Sequence, residues 1–285
     1  MGFARLIHPF PSILDGVVVA LVALVAGGDA ATAVRLGLSM MAFQFAIGAL
    51  NDLVDAPVDR IGKPDKPIPS GIVTPSAARG IVVGSALIGL ALAAPGGLVL
   101  IAIGLVGLSI GGWYDLRAKG TTLSWLPFAV GIPLLPVFAW YGAAGSLPGV
   151  FLVLVPAAAN AGTALAIANA VVDMERDEAA GIESIAIALG ARRAGWLIVG
   201  LEGVVAALAL GTVAVVGAPV GWAAAVVITA CVPIAGAVLG LVAIYRGGGA
   251  GWRELAWEIQ AVGVGLLAVA WLGALSAASS GTPPA

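Results

Sequence analysis

The sequence predicts an all-α bundle that crosses a membrane about nine times, a single domain over residues 1–285 built as two four-helix-type pseudo-repeats plus one further helix. Three observations carry that expectation. Hydrophobic residues fill 61% of the positions and charged residues 10%, and the mean hydropathy of +1.10 is far above that of a soluble domain. The apolar runs approach the roughly 20 residues that a helical crossing needs. None alternates with period two, so the backbone must satisfy itself within helices rather than in a transmembrane barrel.

Gly, Pro and charge divide the runs at about 12–27, 32–50, 76–95, 97–114, 123–143, 149–172, 191–216, 219–244 and 254–277. The first follows Arg5 and resembles the short apolar region of a secretory signal, but the later runs favour a retained first helix, extended by Phe10. Connections after the second, fourth, sixth and eighth runs are polar, whereas those after the third, fifth and seventh carry no charge. Arg5, Arg60, Lys63, Lys66, Arg79, Arg117, Lys119, Arg176, Arg192, Arg193, Arg246 and Arg253 therefore share one side, with Arg35 alone opposite. The bias of basic residues toward the cytoplasm predicts a cell-membrane protein with a cytoplasmic N-terminus and the C-terminus on the other side. Trp113, Tyr114, Trp125, Trp140, Tyr141, Trp222 and Trp252 fall near run ends, as interfacial anchors do. The Gly80/Gly84 and Gly107/Gly111 spacings suggest close helix packing, and the small, polar tail at 277–285 is expected to be disordered.

A net charge of −2 leaves no basic footprint for nucleic acid, and Cys231, the single cysteine, can form no internal disulfide. Nothing in the chain marks an oligomeric state. Membrane lipid is the one partner that composition alone requires.

Six of the fifteen acidic residues follow the second and sixth runs directly: Asp52, Asp55 and Asp59, then Asp173, Glu175 and Asp177. Each segment holds Asn-x3-Asp-x3-Asp, as Asn51, Asp55 and Asp59 and again, 118 positions later, as Asn169, Asp173 and Asp177. Residues four apart share a helix face with a rise of about 6 Å, so each segment lines three oxygen-bearing side chains in a stripe. Like charges on one face beside lipid are costly unless a cation meets them. Oxygen-only donors suit Mg²⁺, which is held by one or two carboxylates together with substrate phosphates, so two stripes facing each other would hold magnesium and a diphosphate. Lys119, Arg117, Arg60, Lys63 and Lys66 are the candidate cations for the diphosphate oxygens. Acids that merely solvate helix ends are the plain alternative; the duplicated spacing argues against it for Asp55, Asp59, Asp173 and Asp177, but leaves it open for Asp52, Glu175 and Glu178. Pro57 lies inside the first stripe and predicts a kink or helix end before Asp59. Asp15, Gln44, Asn160 and Glu202 fall inside runs, where ionisable or amide groups usually face a cavity or a partner. Asp15 and Gln44 are candidate acceptor-site residues, with an interhelical hydrogen bond as the equal alternative.

Asn51-Asp52-Leu53-Val54-Asp55-Ala56-Pro57-Val58-Asp59-Arg60, continued by Lys66-Pro67-Ile68-Pro69-Ser70-Gly71, resembles the first signature of UbiA-type prenyltransferases. Asp173-Met174-Glu175-Arg176-Asp177, with Gly181, Ile182, Ser184 and Leu189-Gly190, resembles the second. Between them Tyr114-Asp115-Leu116 and Lys119-Gly120-Thr121 resemble the tyrosine and lysine-glycine segment of that family. The resemblance implies Mg²⁺-dependent loss of diphosphate from an isoprenyl diphosphate donor and capture of the allylic cation by a lipophilic, often aromatic or quinone-precursor acceptor. It implies Asn51, Asp55, Asp59, Asp173 and Asp177 as metal ligands, Lys119 as the neutraliser of the leaving group with Arg60 and Lys66 beside it, and Tyr114, Arg117 and Asn169 in substrate binding. Two positions depart from the pattern: His8-Pro9 stands where many relatives have Arg-Pro, and Gly181 where some have Asp. A membrane terpene cyclase or phosphoribosyl-transferring relative would use the same diphosphate site. A secondary transporter is the alternative from another class, but its coupling residues would belong near the bilayer midplane.

Overall fold

The computed structural model describes residues 6–280, and 83% of the chain is helix with no strand among the described residues. The chain runs through α1 (Pro9–Val25), α2 (Ala30–Gly62), α3 (Pro75–Ala93), a 3-10 turn (Ala94–Gly96), α4 (Gly97–Trp113), a π turn (Tyr114–Ala118), α5 (Leu126–Gly131), α6 (Leu134–Ala144), α7 (Phe151–Ala179), α8 (Ile185–Leu189), α9 (Ala191–Val216), α10 (Val220–Tyr245) and α11 (Ala250–Ser280). Among the described residues seven stretches are long and apolar enough to span a membrane; one, Pro75–Ala118, contains α3 and α4 together, and the shorter apolar helix Pro9–Val25 supplies the remaining run. The all-α polytopic bundle is thus as the sequence predicts.

Four boundaries differ from the sequence reading. α2 and α7 continue past their apolar runs to Gly62 and Ala179, carrying both aspartate segments as helix. Pro57 neither ends nor precedes the end of α2 at Asp59: the helix runs on to Gly62, and the Lys63 amide donates to the Asp59 carbonyl at 2.8 Å. The fifth run is two helices, α5 and α6, separated at Ile132 and Pro133. At the other end, residues 277–280 of the expected tail continue α11, with Ser279 donating to the Ser276 carbonyl at 2.8 Å, while 281–285 and Arg5 lie outside the described residues.

The chain forms two compact units, one from residues up to Arg117 plus Leu134–Leu147, the other from Ala118–Pro133 and the chain from Pro148 onward. In the first unit α1 and α2 run antiparallel at very close range, since a Cβ on Gly37 would stand 2.7 Å from the Gly16 carbonyl oxygen. Ser39 and Arg35 on α2 donate to the carbonyls of Gly89 and Leu92 on α3 at 2.7 and 2.6 Å. Phe43 meets Phe138 of α6 edge to face, 5.9 Å between centroids. In the second unit a Cβ on Gly236 of α10 would lie 2.8 Å from the Ala256 carbonyl of α11, and Trp271 donates to Thr212 at 2.7 Å, joining α11 to α9. Small residues let these backbones approach, which replaces the missing hydrophobic drive in lipid. Gly80 and Gly84 face open space and do not pack helices, contrary to expectation, whereas Gly111 abuts Ile47. Ile13, Val17, Leu21 and Leu24 form an exposed apolar stripe along α1, the face that lipid would cover.

Candidate functional site

In the first unit the aspartate segment is held from beneath by an apolar cluster of Leu6, Ala49, Ala56, Ile68, Val73 and Ala78. That cluster folds the connection after α2 back over the end of the helix. It thereby brings Lys66 onto the stripe: its ammonium lies 2.8 Å from Asp52 and 2.7 Å from Asp59. Both carboxylates are nearly buried, with side chains 2% and 9% exposed. Burial alone would lower the Lys66 pKa, but the hydrogen bonds and charges of Asp52 and Asp59 outweigh it and hold the ammonium above its ordinary 10.5.

His8 lies 3.2 Å from the same Asp52 oxygen through Nε2. Its ring rests over Gly48, where a Cβ would stand 3.2 Å from Cδ2, so only glycine leaves that place fully open. His8 is the one non-glycine residue with positive φ among the described residues, at 46°. Asp52, which sequence left undecided, is therefore the hub of the first segment. Asn51 donates to Asp115 Oδ1 at 2.8 Å and ties α2 to the π turn that also holds Tyr114 and Arg117. Asp55 is half-buried on the same stripe, and Arg60 and Arg117 are exposed. Two turns further into α2, Gln44 donates to Asp15 of α1 at 2.5 Å, which is the interhelical hydrogen bond that was one of the two readings for this pair.

In the second unit Asn169, Asp173 and Asp177 lie on α7, each half-buried. The helix is seated by Ala164, Ile167, Ala168 and Val171 against Ala186 of α8, Ala194 and Ile198 of α9 and Ala237 of α10. Arg176 donates to Asp173 at 2.5 Å from an exposed position. Arg253 on α11, with a side chain only 6% exposed, donates to the Val171 carbonyl at 3.3 Å and to Glu175 at 2.9 Å. Lys119 is half-buried beside Gly120, whose φ of 76° makes the turn. Glu202 is fully buried on α9 and its two oxygens have no hydrogen-bond partner among the described residues.

Sequence reasoning missed Asp115 and Arg253 as structural partners of the stripes. Asp115 stood inside a quoted motif, and Arg253 beside a run start was counted only as a topology charge. Among the described residues no three His, Cys, Asp or Glu side chains converge as a finished metal cage. The donors on each stripe are nonetheless oxygen atoms of carboxylates and amides, partly accessible except at Asp59, a set that fits magnesium, which completes its octahedron from water and phosphate.

The profile of the UbiA prenyltransferase family matches residues 16–249. The chain therefore belongs to the UbiA prenyltransferase family, and its relatives are enzymes that transfer prenyl groups. It is 33% identical over 147 residues to a digeranylgeranylglyceryl phosphate synthase of Methanopyrus kandleri, an alignment covering 50% of this chain and 52% of that one. It is 30% identical over 199 residues to the protein of the same name in Methanoregula boonei, covering 67% and 70%. The fold is shared with a UbiA homologue of Archaeoglobus fulgidus bound to GPP and Mg²⁺, at a TM-score of 0.67 and 19% identity over 94% of this chain and 99% of that one. Family membership removes the transporter reading.

Proposed function

We propose that this chain catalyses Mg²⁺-dependent transfer of an isoprenyl group from a polyprenyl diphosphate to a lipophilic acceptor within the membrane. The observation that carries it is the duplicated Asn-x3-Asp-x3-Asp stripe, extended as helix in both units, in a member of this family. Asn51, Asp55 and Asp59 in one unit, and Asp173 and Asp177 in the other, are the proposed metal ligands, with Asp59 shared with Lys66 and Asn169 in substrate binding. Bound magnesium would supply charge to the diphosphate as it leaves, the role in which metals most lower such barriers. Lys119, with Arg117 and Arg60, donates to the diphosphate oxygens, while Lys66 keeps Asp52 and Asp59 neutralised. The apolar helices keep water from the allylic cation. On the basic-residue bias, the aspartate segments and the N-terminus face the cytoplasm.

For the acceptor, the shared name of the relatives favours a prenylated glyceryl phosphate over an aromatic or quinone precursor. The experiment is pyrophosphate release by detergent-purified protein with a series of isoprenyl diphosphates and both acceptor classes, with and without Mg²⁺. Asp55→Ala and Asp173→Ala serve as controls, and product mass names the acceptor. Release that depends on Mg²⁺ and is lost in both variants supports the proposal; no release with any donor refutes it. Pyrophosphate release with the acceptor recovered unchanged and a terpene of the donor's own carbon count would instead indicate a cyclase.

A further inference from the structure

We propose that Arg253 is a positioning residue for the second aspartate stripe, setting the rotation of α7 about its axis. This rests on the reading that Asp173 and Asp177 hold metal. Arg253 reaches from α11 to two points one turn apart on α7, the Val171 carbonyl at 3.3 Å and Glu175 Oε1 at 2.9 Å. Successive helical residues advance about 100°, so Val171 and Glu175, each two positions before Asp173 and Asp177, lie about 200° away from them. Arg253 thus grips the back of the helix whose front carries the stripe.

The cluster that seats α7 on α8, α9 and α10 through Ala164, Ile167, Ala168 and Val171 is apolar. Such packing is non-directional and tolerates small rotations. Two hydrogen bonds from a planar guanidinium do not. The arrangement is also asymmetric: Glu175 is 78% exposed and well solvated without help, whereas Arg253 is 6% exposed. The cost of burial therefore falls on the arginine, which borders a narrow crevice together with Ala168, Gly195, Leu241 and Ala256. A buried cation that contributes little to its partner's solvation is explained by the geometry it enforces.

The test compares wild type with Arg253→Met, Arg253→Lys, Glu175→Gln and Glu175→Ala in detergent. Mn²⁺ binding without donor is followed by EPR, half-saturating Mg²⁺ and kcat by pyrophosphate release, and folding by thermal midpoint. Arg253→Met keeps the apolar stem, so it should fold while weakening Mn²⁺ binding on the order of tenfold, the scale of lost outer-sphere support. Half-saturating Mg²⁺ should rise in parallel, with kcat at saturating Mg²⁺ changing less. Arg253→Lys should recover part of the loss. Glu175→Gln and Glu175→Ala both remove the charge, but only the second removes the hydrogen bond, so Glu175→Ala should bind Mn²⁺ more weakly than Glu175→Gln. Wild-type Mn²⁺ affinity in Arg253→Met, whatever its thermal midpoint, overturns the inference. If that variant does not fold, equal affinities in the two Glu175 variants overturn it instead. Wild-type protein that neither binds Mn²⁺ nor releases pyrophosphate would sink the function reading itself, a different result.

Discussion

Lys66 stands 2.8 Å from Asp52 although 14 residues separate them, and it closes on Asp59 with the same ammonium. One cation thus neutralises two carboxylates of α2 at positions that are almost buried. Removing one partner of a buried pair leaves the other desolvated and uncompensated. Lys66→Met should therefore cost roughly 3 kcal/mol of stability, read as a fall in thermal midpoint in detergent, and Lys66→Arg should cost less. With Asp52→Asn added, the double variant should lose clearly less than the two single losses combined, because Asp52 is then neutral and only Asp59 is left without its cation. Additive losses would show that the pair is not coupled.

The same contact sets an alkaline limit. The folded pKa of Lys66 is raised above its unfolded value, so its contribution is complete below that unfolded value near 10.5 and is lost as pH rises through the folded one. Thermal midpoints of the wild type should fall above pH 10.5 more steeply than those of Lys66→Met. Parallel profiles would remove Lys66 from the alkaline transition.

Asp55 and Asp59 belong to one sequence motif but not to one environment. Asp59 is buried against Lys66, whereas Asp55 is half-buried on the stripe. Asp55→Asn should lower kcat/KM by 10² to 10³, on the order of losing one charge-stabilising group. Asp59→Asn should lower it by roughly tenfold, as for a supporting residue, but should reduce the thermal midpoint more than Asp55→Asn does. The reverse ranking on both measures would make Asp59 the principal ligand of the first segment.

The nine apolar runs and the duplicated stripe were legible because each has a one-dimensional signature: hydrophobic length for the runs, a four-residue period for the stripe. What was not legible depends on chain segments folding back in space. Asp52 lies one residue from a stripe position and reads as a solvated helix end until the loop through Ile68 and Val73 delivers Lys66 to it. Arg253 is distant from α7 in sequence and carries no periodic cue. Pro57 does not end the helix, one of the two outcomes it predicted, because the flanking helix is held on both sides, by Ala56 in an apolar cluster and by Lys66 on Asp59.

Gly37 tests the close approach of α1 and α2. An added Cβ would meet the Gly16 carbonyl oxygen at 2.7 Å, a backbone atom that cannot swing aside as a side chain can. Gly37→Ala should cost about 1–3 kcal/mol, the usual penalty for overpacking. Gly80→Ala, which meets nothing within 4 Å, should be neutral or slightly stabilising through helix propensity. Thermal midpoints of the two variants check the contrast, and equal effects would show that α1 and α2 do not approach so closely.

Trp271 donates to the Thr212 hydroxyl at 2.7 Å, and its side chain is only 2% exposed. The hydroxyl in turn donates back to its own helix, at the Leu208 and Ala209 carbonyls, both 2.9 Å away. Thr212→Val keeps the shape but leaves the indole N–H without an acceptor in apolar surroundings. Interhelical hydrogen bonds in membranes contribute about 0.6–2 kcal/mol, so a loss in that range is expected. Trp271→Phe removes the donor together with the need for an acceptor, so adding Thr212→Val to it should cost almost nothing more. A full Thr212→Val penalty in the Trp271→Phe background would locate the threonine's contribution in its backbone contacts rather than in the joint between α9 and α11.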